Sequence, residues 1–468
     1  MTNLGLADGG AFAGSTLTFL NRCRRQGLAV GESANGFIVS ASAGRAAVDV
    51  GLSPFAETSM DAMMWASAPR VAIYAGEAIG YPYWGYYAHA LFSIGLGFHA
   101  VTGVEVAAGC LGSYDLLVMP GGFATWGLDR AEAISGIDAA IGQFIQDGGA
   151  YMGSCGGAFY MSNGRPGWHG AVDAMPKFTQ EYLMTGAGML GISIDDPVMG
   201  RGLPEVVEVP YYHGPICSAG ERAAKTLGHF RTYICESRLF IENPLSPALF
   251  EHEMKGTPAI FMAHFGKGRV LTFSPHPEMG EFVRKGIALE GYVRRFLPIR
   301  GFKVMDQTLR FFMKEDCAGF RLIYNAIGRL GLFETAPATT QLEPDSTKDL
   351  DAILGQLDDT MTRQFASIER VSALESESMR EIVEAETTRL KSQWAEVSSN
   401  LKEAIKHQHA EVSHVHGLSS VLASASQAKH PSRLEELIVM TELPIRIVAA
   451  ALRIIACDRA LSAMEIPR

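Results

Sequence analysis

The chain reads as an α/β protein: a flavodoxin-like, mostly parallel sheet with helices on both faces, followed by an α-helical, coiled-coil-like module. Three observations predict this. Short, largely apolar runs at 71–74, 114–119 and 150–152 alternate with helix-compatible segments, the pattern of strands buried on both faces. These runs end in glycine-containing turns, Ala75-Gly76-Glu77, Pro120-Gly121-Gly122 and Gly153-Ser154-Cys155-Gly156-Gly157. Beyond residue 347 the composition turns to long charged segments, with apolar residues stepping by three and four.

Taken in order, residues 1–68 are rich in Gly, Ala and Ser and carry a basic spot, Arg22-Cys23-Arg24-Arg25. Leu17, Phe19, Leu20 and Leu28 suit a helix, and 36–40 suits a strand. This extension is expected to pack on the next unit or to mediate assembly. The α/β domain spans 69–299. Its first strand is followed by an aromatic-rich helix over 81–96, a short strand near 99–104, the 114–119 strand and a helix over 131–146, where Ile134, Ile137, Ile141 and Ile145 recur at helical spacing. Then comes the strand that leads into Cys155. Later strands fall at 258–264 and 269–273, joined by a hairpin turn at Phe265-Gly266-Lys267-Gly268, and a helix over 282–296 closes the unit. A helical segment follows at 300–335, then a Pro- and Thr-rich linker at 336–347. The helical module is 348–468. Leu350, Leu354, Leu357, Met361, Phe365, Ile368 and Val371 form one stripe, and Trp394, Val397, Leu401 and Ile405 another, with irregular register around 376–388. Such stripes predict self-association into a homo-oligomer.

Composition narrows the function classes. A 47% hydrophobic, 19% charged chain of 468 residues can bury a large core. A net charge of −10 argues against a nucleic-acid binder. The seven cysteines are scattered without a CxxC pair, so neither a zinc ribbon nor a disulfide framework is expected, and a cytoplasmic setting fits. The start lacks the pattern of a secretion signal. The longest apolar stretch, 443–457, is broken by Pro444, Arg446 and Arg453 and is expected to be a packed helix rather than a membrane span.

The candidate chemistry centres on Cys155. A strand ending in Gly-Ser-Cys-Gly-Gly and passing straight into a helix is how a nucleophile is presented on a sharp turn. The helix N-terminus then offers backbone N–H groups and a partial positive charge, which favour a thiolate and can bind an oxyanion. A buried cysteine in a glycine-rich turn would give the same local pattern. A nucleophilic Cys needs a base, and the base an orienting group. His276 and Glu278, in Ser274-Pro275-His276-Pro277-Glu278 at another strand end, supply both types, with prolines restraining the backbone on either side of the His.

Together, the 114–122 strand and turn, Gly153-Ser154-Cys155-Gly156-Gly157-Ala158 and the 268–278 strand and turn resemble the class I glutamine amidotransferase-like superfamily, over about residues 70–297. Tyr211-Tyr212-His213-Gly214-Pro215 adds a similarity to the domain found at the N-terminus of some eukaryotic biotin–protein ligases. The resemblance implies a Cys155–His276–Glu278 triad and an oxyanion hole from Gly156 and the Gly121-Gly122 loop. It also implies a thiol-tuning role for Glu77, the counterpart of a Glu that contacts the nucleophile in the intracellular-protease-like branch; a solvated loop Glu is the plainer reading. The residues after Cys155 lack the Leu-Gly-x-Gln type of sequence that grips glutamine, so the expected substrate is a small-molecule or peptide-like amide of unassigned identity. No cofactor and no metal is expected. The alternative is a non-catalytic binding or scaffold protein that uses the fold plus its helical module.

Tyr83 and Trp84, beside the first strand end, and Tyr212 and His213 are the candidate lining of a substrate pocket. His407 and His414, seven apart, would share one face of a continuous helix and so could share a metal, but no carboxylate or Cys completes a pattern, and polar helix positions are the plainer reading of the 407–416 tract. Thr185-Gly186-Ala187-Gly188 lacks the Lys-Ser/Thr of a phosphate loop and is read as a turn.

Overall fold

A computed structural model describes residues 3–10, 13–33, 36–56, 68–177, 187–219, 224–234, 245–311, 317–333, 349–407 and 409–464. The linker at 336–347, Cys235 and the Thr185-Gly186 half of the expected turn lie outside these residues.

Strands β1 (Asn3–Ala7), β2 (Val30–Ser33), β3 (Gly36–Ser40) and β4 (Phe55–Ala56) form an antiparallel sheet in the order β2-β3-β1-β4. The Gly14–Arg25 helix between β1 and β2 carries Leu17, Phe19, Leu20 and Cys23 into the core. It is bolted to the rest of the chain by polar contacts. Thr18 Oγ1 donates to the Ser93 carbonyl at 3.1 Å, and Asn21 Nδ2 to the Ile94 carbonyl at 2.6 Å. Arg22 forks onto Asp458 at 2.8 and 2.7 Å, both side chains almost fully buried. Packing is therefore what the structure records for this N-terminal segment.

The large sheet takes β5 (Val71–Tyr74), β6 (His99–Val101), β7 (Leu116–Met119), β8 (Ala150–Ser154), β10 (Ala187–Ile194), β11 (Val206–Tyr212), β13 (Lys225–Tyr233), β14 (Pro258–Phe265) and β15 (Gly268–Phe273); β9 (Ala174–Pro176) and β12 (Cys217–Ala219) pair separately. Its order is β11-β10-β13-β14-β15-β8-β7-β5-β6. From β15 to β6 every pairing is parallel, and from β11 to β15 every pairing is antiparallel. The sheet is thus mixed, which corrects the mostly parallel expectation. The physical reason is connection length. A parallel neighbour needs a crossover of about a dozen residues or more, whereas Phe265 pairs directly with Gly268 across the expected hairpin.

Two helices differ from expectation. The 131–146 helix begins only at Ile137, because Gly136 sits at φ 95 and Asp129 accepts from the N–H groups of Gly136 and Asp138. The closing helix continues from Gly280–Ala288 through a π-type turn at Leu289–Val293 into Arg294–Arg300.

The C-terminal module contains the Leu350–Ser372, Glu377–His407, Leu418–Ser426 and Leu434–Ser462 helices. Their apolar stripes are real, and they are buried within this chain: Leu354, Leu357 and Met361 on one helix and Leu390, Leu401 and Ile405 on the next are at most 1% exposed. The Leu434–Ser462 helix lies at the centre, against the Leu350–Ser372, Glu377–His407, Tyr83–Ser93, Gly14–Arg25 and Gly280–Ala288 helices. The stripes accordingly need no second chain to cover them. The 443–457 stretch is a packed helix, and among the described residues no helix is long and apolar enough to cross a membrane.

A buried ion cluster ties this module to the α/β unit. Lys285 Nζ meets Glu386 at 2.5 Å and also bonds Glu442, which in turn accepts from Arg446 at 2.6 Å; Arg389 pairs with Glu386. Burial works to raise the Glu442 carboxyl, but the Lys285 ammonium and the Arg446 guanidinium overrule it and hold its pKa down at about 2. Its folded pKa is depressed, so its contribution to stability is present above the ordinary carboxyl value and is lost as pH falls through about 2. Acid titration of a Glu442→Gln variant against the parent, followed by circular dichroism, should show the stability gap between them closing only at the acid end.

Candidate active site

The elbow is built as its residues dictate. β8 ends at Ser154, Cys155 takes φ 50 and ψ −107, and the Gly156–Met161 helix starts at once. A side chain at positive φ is costly and is held only where surrounding contacts over-determine it. Here the Cys155 N–H donates to the Phe273 carbonyl at 3.0 Å, and the Cys155 carbonyl accepts from Ala158 and Phe159 at 2.9 Å each. The N–H groups of Gly156 and Gly157 stand at the helix end, where no earlier turn supplies a carbonyl.

Glycine is required at two neighbouring points. A Cβ on Gly156 would lie 2.3 Å from the Gly122 carbonyl oxygen, so the first helical turn and the Gly121-Gly122 loop touch through backbone. A Cβ on Gly121 would lie 2.8 Å from His276 Cε1 and 3.7 Å from Cys155 Sγ, which puts Gly121 against both the imidazole and the sulfur. Gly156→Ala should therefore push the loop aside. We expect a loss of about 1–3 kcal/mol of stability in urea denaturation, together with slower labelling of Cys155.

His276 and Glu278 come together. His276 Nδ1 lies 2.7 Å from Glu278 Oε1, and the two side chains are 2% and 1% exposed. The His276 backbone N–H is pinned to the Pro210 carbonyl at 2.9 Å. Ser154 Oγ donates to the same Glu278 oxygen at 2.8 Å. Burial alone would lower the imidazole pKa, but the Glu278 carboxylate and then the Cys155 sulfur outweigh it and raise His276 to about 10. His276 is thus an imidazolium at neutral pH. The Cys155 sulfur lies beside the ring, and its Sγ is also 3.2 Å from the Tyr212 carbonyl, which accepts from it when it carries its proton.

The other expected residues divide. Tyr83 is 49% exposed, His213 is exposed at φ 49, and Tyr212 stacks edge-on against the His276 ring at 5.9 Å between centroids. Trp84 is 3% exposed and packs edge-on against Tyr81 and Phe98, so it serves the core. Glu77 is exposed at the head of the Glu77–Ile79 turn, and among the described residues no hydrogen bond joins it to Cys155. The acid that holds this turn is Glu132, which accepts from the Ala78 N–H at 3.0 Å. His407 ends one helix and His414 follows a separate short helix, His409–Ser413, so the two do not share a helical face.

Three contributors escaped the sequence reading. Ser154 orients Glu278; a hydroxyl closing an apolar strand was the available signal. Tyr87 is fully buried, and burial, with the nearby Glu278 charge, pushes its hydroxyl well up. The Tyr212 carbonyl reaches the sulfur from the far edge of the sheet, which no local pattern announces.

No family model matches the chain, and no curated protein matches it. Solved structures do. A glutamine amidotransferase from Thermotoga maritima is 13% identical over 56% of this chain and 97% of its own, with a TM-score of 0.34. A protein assigned to GMP synthase, from Thermoplasma acidophilum, is 15% identical over 56% of this chain and 98% of its own, with a TM-score of 0.29. A β-galactosidase from Bacillus circulans is 15% identical over 46% of this chain, at a TM-score of 0.28, and the match spans only 29% of the enzyme's length. At these scores the likenesses decide nothing about chemistry, which rests on the geometry of Cys155, His276 and Glu278.

Proposed function

We propose that the chain is a cysteine-dependent acyl-transfer enzyme or amidohydrolase, with Cys155 as nucleophile, His276 as acid and base, and Glu278 as the residue that orients His276. The observation that carries this reading is the positive-φ Cys155 at a strand–helix elbow, beside an imidazole whose Nδ1 is held by a buried carboxylate.

The sulfur attacks the carbonyl carbon of an amide, and the new C–S bond pushes the π electrons onto oxygen. The N–H groups of Gly156 and of the Gly121-Gly122 loop accept that charge. Collapse breaks the C–N bond, and His276 gives its proton to the leaving nitrogen. Water then attacks the thioester with His276 as base. An acid and an amine leave, and the thiol is restored. The exposed Tyr83, Phe123 and His213 are the side chains that a substrate meets on the way in. The nearer kinship with the biotin-ligase-associated domain rests on the Tyr211–Pro215 and elbow motifs.

A panel of primary amides and short peptide amides, assayed for released ammonia or amine, tests the proposal. Activity should fall about 10³-fold or more in Cys155→Ala. A panel in which every activity survives that substitution would instead support a binding or scaffold role.

A further inference from the structure

The turn that follows the Gly121-Gly122 loop carries two aromatic rings that the core does not use. Phe123–Trp126 is a single 3₁₀ turn, entered from Gly122 at φ 130. In such a turn residues three apart eclipse, so Phe123 and Trp126 leave the same face. They are 64% and 47% exposed, while Ala124 between them is fully buried. Phe123 follows Gly121 by two residues, which keeps its Cα within about 7 Å of Gly121. Gly121 is the residue whose Cβ would stand 3.7 Å from Cys155 Sγ.

This turn is braced. The Trp168 indole N–H donates to the Thr125 carbonyl. A Cβ on Gly127 would lie 3.2 Å from the Gly167 carbonyl oxygen, so the two segments touch through backbone. The Trp168 ring packs in turn on Phe159, in the elbow helix, at 5.7 Å between centroids. The Arg130 and Arg165 guanidinium groups lie 5.7 and 5.8 Å from the centre of the Trp126 ring and steady it. Rings with two rotatable bonds, on a turn already fixed, lose little freedom when something covers them. An apolar group laid against them takes their surface out of water.

We propose that Phe123 and Trp126 form a subsite for an aromatic or large apolar group of the amide substrate, beside the scissile bond. The proposal rests on Cys155 as the nucleophile and adds the substrate class.

Two alkylating probes test it, iodoacetamide and N-benzyliodoacetamide, with labelling of Cys155 in the full chain followed by mass spectrometry. The ratio of the benzyl to the plain rate is compared with the same ratio for glutathione. At Cys155 it is expected to be about threefold to tenfold higher, the scale of one aromatic contact. Phe123→Ser and Trp126→Ser should each move the ratio toward that of glutathione, and the double variant should reach it. A parent ratio equal to that of glutathione, or a preference that persists in the double variant, overturns the proposal. So does a molar mass by light scattering that drops in the double variant, which would make the rings a contact between copies of the chain. The absolute rates test the nucleophile and the ratio tests the subsite, so either can fail alone.

Discussion

In a His276→Ala variant, haloacetamide labelling of Cys155 at pH 7 is expected to slow by at least about tenfold. The sulfur loses the buried ring beside it, and a nucleophilic cysteine depends on such a partner for its activation. Glu278→Gln keeps the shape and removes the charge that raises His276, so it should fall between the two. Stability carries a matching signature. His276 has a raised folded pKa, so its contribution is complete below its ordinary value near 6.5 and disappears as pH climbs through about 10. The difference in urea midpoint between parent and His276→Ala should therefore shrink at the alkaline end. Labelling of Cys155 no faster than that of the other cysteines, in the parent itself, would sink the catalytic reading.

Lys285→Ala is expected to cost about 1.5–3 kcal/mol, the scale of a lost buried hydrogen bond to a charged group. Glu442 keeps Arg446 and Glu386 keeps Arg389, but the ammonium that the two buried carboxylates share is gone. Urea denaturation followed by circular dichroism measures it. The same substitution reaches the site, because Lys285 sits on the Gly280–Ala288 helix, which begins directly after the Pro277–Met279 turn holding Glu278. Cys155 labelling should slow in this variant under conditions where it is still folded. A loss under about 1 kcal/mol, the scale of an exposed pair, would mean that the cluster contributes no more than a surface contact.

The elbow and the His276–Glu278 pair were legible because each is local. Ser-Cys-Gly-Gly after an apolar run states a strand, a tight turn and a helix within a few residues, and the glycines appear where Gly122 leaves no room for a Cβ. His276 and Glu278 are two residues apart, with prolines restricting the backbone between and before them. The β14–β15 hairpin was legible from its turn for the same reason. The mixed sheet was not, because strand direction past β15 depends on which distant strands pair. The aromatic run at 81–87 showed the same limit: helical periodicity does not say which ring faces the core, and it is Trp84 that does.

The helical module marks the boundary between the two kinds of information. Its stripes at three- and four-residue spacing determine that each helix must cover one face, since exposed rows of Leu, Ile and Met are unfavourable in water. They do not determine what covers it. In the folded chain the cover is intramolecular, with Leu434–Ser462 at the centre and Asp458 reaching Arg22 across most of the sequence. The candidate site divides in the same way. The sequence by itself determined a strand-end cysteine, a histidine with its carboxylate, and the glycines that let backbone approach the sulfur. Only the tertiary structure decided that β11, with three strands between it and β15 in the sheet, supplies the Pro210 carbonyl that anchors His276 and the Tyr212 carbonyl that faces the Cys155 sulfur. Such contacts join residues far apart in the chain, a non-local property that no short stretch of residues specifies.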